Sequence, residues 1–212
     1  MTTLLIATRN AHKVGEIRAI LGEQFRYLTL KDYPGAPSVV EDAATFAGNA
    51  TKKAAELARW VGDAIPHPAF VLADDSGLEV DALNGAPGVH SARFAALDAN
   101  HPGNSSDADN NAKLLRLLKD VPAEERTARF RCVIALVEVQ SPKSKAQSPQ
   151  LFDGTCEGNI EFAPRGNGGF GYDPLFVPEG FKESFAELGE DVKNRLSHRA
   201  KALAKLKAVL RA

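Results

Sequence analysis

A chain of 212 residues, 44% hydrophobic and 25% charged, has ample material for a core and suits one α/β domain with two lobes. Its formal net charge of −1 gives no global attraction to nucleic acid or to a membrane surface, so an anionic ligand has to be met by local charge. No apolar run approaches the roughly 20 residues of a membrane span, and the first residues lack the pattern of a signal peptide, so the reading is a cytoplasmic protein.

Leu4 to Ala7 carry a buried-strand signal, and Val14, Ile17, Ile20 and Leu21 then recur at helical spacing. The chain therefore opens as strand, loop, helix. Thr8, Arg9, Asn10, Ala11, His12 and Lys13 fill the loop and the first helical turn. Backbone N–H groups and the dipole at such a helix start form an anion site, to which Lys13 adds a full charge. A cap by Asn10 with a solvated Lys13 accounts for the same residues. The glycines of a Walker loop or a dinucleotide fingerprint are missing, which disfavours both families. Phe46, Ala50, Ala54, Leu57 and Val61 then mark one face of a second helix with Thr45 as its N-cap. Glu41 ahead of it is a candidate metal ligand, and Lys53 on it a candidate phosphate contact, although most lysines are simply exposed.

From Phe70 a short apolar stretch runs into Asp74-Asp75-Ser76-Gly77, read as a strand ending in a charged turn. Two adjacent carboxylates where a buried strand surfaces are costly unless a cation or strong donors lie between them. A hard cation such as Mg²⁺ would resolve that cost, with one carboxylate holding the ion and another orienting or deprotonating a water. A plain turn opened by Asp74 and closed by Gly77 remains the alternative.

Beyond this point Gly85 to Gly88 signal a turn, His101 to Asp107 an exposed polar loop, and Leu114, Leu115 and Leu118 a short helix. Thr127 to Val139 and Gln150 to Ile160 read as a long antiparallel hairpin. The connector between them, Ser141-Pro142 to Ser148-Pro149, reads as mobile and without a role. Cys132 and Cys156 lie in these strands without metal-ligand spacing and read as packing residues. The loop Arg165 to Pro174 holds four glycines, with Phe170 or Tyr172 able to offer a ring for stacking on a flat heterocycle. From Val192 to the end there are seven Lys or Arg and no acidic residue. Lys205, Lys207 and Arg211 complement a helix C-terminus. Lys193, His198 and Arg199 precede or open that helix, where the dipole disfavours cations, so something acceptor-rich should face them.

Taken together these residues resemble the inosine triphosphate pyrophosphatases, a family that clears non-standard purine nucleoside triphosphates such as ITP, dITP and XTP. The resemblance spans nearly the whole chain. It rests on Thr8-x-Asn10-x-x-Lys13, Thr45-Phe46-x-x-Asn49-Ala50 and Asp74-Asp75-Ser76-Gly77-Leu78. It continues through Gly85-Ala86-Pro87-Gly88-x-x-Ser91-Ala92-Arg93, Gly168-Gly169-Phe170-Gly171-Tyr172-Asp173-Pro174 and Lys193-Asn194-x-x-Ser197-His198-Arg199. It implies an α/β fold with an elongated mixed central sheet flanked by helices, two lobes with a cleft between them, a homodimer and dependence on Mg²⁺. It also implies roles. Thr8 to Lys13 would hold the triphosphate with help from Lys53. Glu41 and Asp75 would hold Mg²⁺, Asp74 would support the metal shell, and Asp75 would accept the proton of the attacking water. Ser76 would contact substrate, Phe170, Gly171, Tyr172 and Asp173 would cradle the base, and Lys193, His198 and Arg199 would complete the purine site.

Two departures stand out. Arg9 replaces a commonly small residue, and Asp42-Ala43-Ala44 replaces the usual Glu/Thr/Gly run beside Glu41. Hypoxanthine and xanthine carry a 6-oxo acceptor where adenine carries a 6-amino donor, so a pocket of donors rewards the former and is left unpaired by the latter. A non-hydrolytic nucleotide-binding module and a phosphatase releasing orthophosphate are the competing readings. The paired carboxylates with Glu41 speak against the first, and product analysis separates the second.

Overall fold

The computed structural model describes residues 1–67, 69–98, 103–139 and 148–210. His101 and Pro102 of the polar loop, the connector up to residue 147, and Arg211 lie outside the described residues.

Strand β1 (Thr3–Ile6) leads into α1 (Ala11–Leu21), as the opening pattern requires. Asn10 caps that helix: its side chain accepts from the Lys13 N–H at 3.1 Å, a contact of the kind that contributes about 1 kcal/mol. The short strand β2 (Arg26–Thr29) follows, then α2 (Phe46–Val61), capped by Thr45 accepting from Gly48 N–H. Next come β3 (Ala69–Val80), α3 (Asp107–Leu117), β4 (Thr127–Glu138) and β5 (Gln150–Ile160). The chain closes through β6 (Phe176–Pro178), α4 (Phe185–Leu196) and α5 (His198–Leu210). The six strands form one sheet in the order β2-β1-β3-β4-β5-β6. β1 runs parallel to both β2 and β3, with Leu5 opposite Leu28 and Val71, whereas β5 and β6 are antiparallel, so the sheet is mixed. It is flanked by helices, as expected for an α/β fold.

Contacts divide the chain into two compact units. The first comprises Met1–Asp75, Cys132–Asp153 and Lys201–Ala212. Its core joins Leu4 and Ile6 of β1, Ile17 and Leu21 of α1, Leu72 of β3 and Ile134 of β4 to Leu203 and Leu206 of α5. The second comprises Ser76–Arg131 and Gly154–Ala200. Its core gathers Leu78, Leu114, Phe130, Ile160, Tyr172, Phe176 and Phe185, with the Phe176 and Phe185 rings stacked 5.3 Å apart. Here the buried Arg126 guanidinium ties together the carbonyls of Leu118, Ile160 and Glu161. Cys132 and Cys156 are both buried and form no disulfide. No helix among the described residues is long and apolar enough to cross a membrane.

Three expectations are corrected. The strand entering Asp74 does not end in a turn but runs through Asp74, Asp75, Ser76 and Gly77 as far as Val80. Asp and Gly are poor strand formers, but donors brought from elsewhere in the fold meet these carboxylates and override local preference. The polar loop stops before Asp107, which is already the first residue of α3, capped by Ser106. Lys193 does not precede its helix. It lies in the last turn of α4, where the dipole favours a cation, while His198 and Arg199 do open α5. Gly189, at φ 78°, breaks the helical pattern inside α4 and hides that helix from a periodicity argument.

Candidate active site

Side chains alternate along a strand, so the adjacent Asp74 and Asp75 project to opposite faces of the sheet. Their partners agree. Asp74 faces α1 and β4: it ion-pairs with the Lys13 ammonium and accepts from the Cys132 thiol at 3.0 Å. Asp75 faces α2, where Asn49 Nδ2 donates to its Oδ2 at 3.1 Å and Lys53 Nζ lies 3.7 Å from its Oδ1. The same ammonium donates to the Asp74 carbonyl at 2.7 Å and pairs with Glu41 Oε2 at 3.1 Å. Lys53 is thus buried, not exposed, and it gathers two carboxylates and a carbonyl from two segments. Burial pushes the Asp75 carboxyl up to about 6; Lys53 and Lys13 oppose the rise, and the Glu41 charge adds to it.

No group of three or more His, Cys, Asp or Glu side chains among the described residues is gathered for a metal. A Mg²⁺ site of the substrate-assisted kind does not need one, since that ion is usually held by one or two carboxylates with substrate phosphates and water completing its shell. Glu41 and Asp75, converging on one ammonium with the Asp75 carboxyl already held up by burial, fit that requirement: the donors are hard oxygens and the pocket has negative charge to spare. Asp74 has one oxygen on Lys13 and the other on Cys132.

The first loop is organised by its own side chains. Thr8 Oγ1 accepts from Asn10 N–H at 3.1 Å while Asn10 caps α1. Ala11 and His12 are exposed in the opening turn. Arg9, the first departure, sends its guanidinium to the Ala36 carbonyl at 3.2 Å, bracing the loop from outside. Asp42, the second, pairs with Lys52 at 2.8 Å, and Ala43 N–H donates to Asn49 Oδ1 at 2.9 Å. An Ala at 43 also suits the close approach of Gly48, where an added Cβ would stand 2.7 Å from the Ala43 methyl.

In the second unit the ring of Phe170 is partly exposed and its face meets two cations: Lys193 Nζ lies 4.4 Å and the Arg199 guanidinium carbon 6.0 Å from its centroid. Asp173 organises this place from below. Its Oδ2 accepts from Phe170 N–H at 2.8 Å and pairs with Lys193 at 2.6 Å, both side chains being buried. Gly169 sits at φ 73°, and a Cβ there would collide with the Asp173 carboxylate, so only glycine serves. Arg199, fully buried, donates to Ser76 Oγ at 2.8 Å. Tyr172 turns inward instead: its ring is in the core and its hydroxyl donates to the Ser91 carbonyl at 2.9 Å, burial raising its pKa. Phe170 is therefore the ring left to offer a face. His198 is buried too, stacked 4.8 Å from Phe130 with 14° between planes.

Asn49 went unassigned in the sequence beyond its place in a motif. It stands four residues before Lys53, hence on the same helix face, and that spacing was the available signal. The two together hold both oxygens of Asp75.

The Ham1 family model matches residues 4–209. A dITP/XTP pyrophosphatase of Geobacter sulfurreducens is 51% identical over 208 residues, covering 98% of this chain and 96% of that protein. Its counterpart from Desulforamulus reducens is 47% identical over 98% of this chain and 94% of its own length. A solved HAM1 protein from Coxiella burnetii superposes with a TM-score of 0.80 at 35% identity, covering 99% of this chain and 98% of that one. With sequence and fold agreeing over almost every residue, the chain belongs to the Ham1 family.

Proposed function

We propose that this protein hydrolyses non-standard purine nucleoside triphosphates, such as ITP, dITP and XTP, to the monophosphate and pyrophosphate. The observation that carries the reading is Asp75: a buried strand carboxylate held at both oxygens, with a pKa raised by burial to about 6. A carboxylate so held is placed to orient a water and to accept its proton in the transition state. The relatives named dITP/XTP pyrophosphatase supply the substrate class.

In this reading Glu41 and Asp75 hold Mg²⁺, which when bound neutralises phosphate charge and makes a nearby water more acidic. Asn49 keeps Asp75 in its rotamer, Thr8 to Lys13 and Lys53 meet the triphosphate, and Asp75 accepts the proton. Phe170 stacks on the base. Arg199 and Lys193 supply donors that a 6-oxo purine satisfies and adenine does not, and Asp173 holds the ring and Lys193 in place. The chain acts as a single nucleoside triphosphate pyrophosphatase domain. The protein works as a cytoplasmic homodimer and has no call on nucleic acid or membrane.

Product analysis with dITP and Mg²⁺ tests this directly. Monophosphate plus pyrophosphate is expected; stepwise release of orthophosphate would make the protein a phosphatase instead. Asp75→Asn should lower turnover by at least about a hundredfold while dITP still binds, the scale of a lost general base.

A further inference from the structure

The loop bearing Phe170 is gripped from outside. Gly171, the residue directly after the ring, donates its N–H to Asp107 Oδ2 at 2.7 Å, and its carbonyl accepts from Asn111 Nδ2 at 3.0 Å. Asp107 and Asn111 are four residues apart on α3 and so stand one above the other on a single helix face. That fixed spacing acts as a template for a loop whose glycines could otherwise take many conformations. Gly169 and Gly171 both have positive φ, 73° and 63°.

Two features indicate that the grip serves the loop and not the helix. The N-terminus of α3 already has its cap, because Ser106 accepts from Asp109 N–H and donates to the Asp109 carboxylate. Asp107 is thus released from capping. Asn111 Oδ1 is buried with no hydrogen-bond partner among the described residues. An apolar side chain would avoid that cost, so the amide is kept for its other end, which holds Gly171.

We infer that Asp107 and Asn111 are positioning residues for purine selection: by fixing both polar groups of the Gly171 backbone they set where the Phe170 ring stands. The inference rests on the reading of Phe170 as the platform for the base. Neither residue touches the base; both act through Gly171.

Steady-state kinetics with dITP and dATP, alongside thermal unfolding, tests it. Asp107→Ala and Asn111→Leu should each raise KM for dITP roughly tenfold, leave kcat within about threefold and shrink the dITP to dATP preference. Asp107→Asn, which keeps an acceptor oxygen, should recover most of the loss. Asp109→Ala, which removes a first-turn charge without reaching the loop, should leave KM and preference unchanged. If Asn111→Leu does not fold, the isosteric Asn111→Asp, which turns an acceptor toward the Gly171 carbonyl, should raise KM in its place. Unchanged KM and preference in the Asp107 and Asn111 variants, or an equal shift in Asp109→Ala, overturns the inference. Phe170→Ala separates the two levels. If it leaves KM for dITP untouched, the platform reading fails and this inference with it; if it raises KM while the Asp107 and Asn111 variants do not, this inference alone fails.

Discussion

In the first unit Glu41 and Asp75 share the ammonium of Lys53 while Asp74 takes that of Lys13; in the second, Asp173 and Lys193 pair at 2.6 Å beneath Phe170. The first set joins three carboxylates to two ammonium groups among the described residues, and the Asp75 carboxyl is pushed upward as a result of its burial. The second pairs the one carboxylate Asp173 with the Lys193 ammonium, and the Arg199 guanidinium stands by the same ring. Carboxylates in excess of their cations mark a place that gains from a further positive charge, whereas the balanced Asp173–Lys193 pair supports the ring above it.

The largest effect that would break this contrast is on the matched pair. Lys193→Met removes the ammonium that pairs with buried Asp173 and should cost about 3–5 kcal/mol, seen as a clear drop in Tm. An unchanged Tm would show that the pair is not scaffold. The unmatched set should respond with the opposite sign. The Asp75 pKa in the fold, about 6, lies above the ordinary 3.8, so between roughly pH 4 and 6 the folded state binds more protons than the unfolded one, and stability falls as pH rises through that window. Asp75→Asn removes that penalty. In metal-free protein it should be more stable than wild type by on the order of 2 kcal/mol at pH 8, with the gain vanishing near pH 4. A loss of stability at pH 8 would show that the Asp75 charge is already fully compensated. At the small end lies Lys205–Asp153, a 2.7 Å pair exposed on both sides, where Lys205→Ala should change stability by no more than about 0.5 kcal/mol. A larger change would mean that matching charges matters at the surface as well.

What was legible in the sequence depended on how local the determining physics is. The caps at Asn10 and Thr45 are set by contacts three residues apart, and both are found where the pattern puts them. The path of β3 through Asp74 and Asp75 was not legible, because the groups that meet those carboxylates come from Lys13, Asn49 and Lys53, far off in sequence. Helix α4 could have been found from Ser184 and Glu187, which form a capping box, but Gly189 masked the periodicity that follows. The candidate residues stand together in motifs in the sequence; which face each one serves was not legible there. Tyr172 and Phe170 look interchangeable as stacking rings in sequence, and packing alone separates them.

The opposed directions of Asp74 and Asp75 have a consequence for how this chain tolerates length changes. Surface loops absorb insertions and deletions readily, but a deletion of one residue within Ala69 to Ala73 would shift the alternation of β3 by one place. If the strand kept its pairing with β1, the carboxylate now facing α2 would be delivered to the Lys13 face and its neighbour to the α2 face, and a deletion at Ala69 or Phe70 would also exchange the faces of Val71 and Leu72. Composition would be nearly unchanged and every local motif intact. Indels in this stretch should therefore be purged far more strictly than substitutions, and a library tolerant of point changes at 69–73 should still contain no working member one residue shorter.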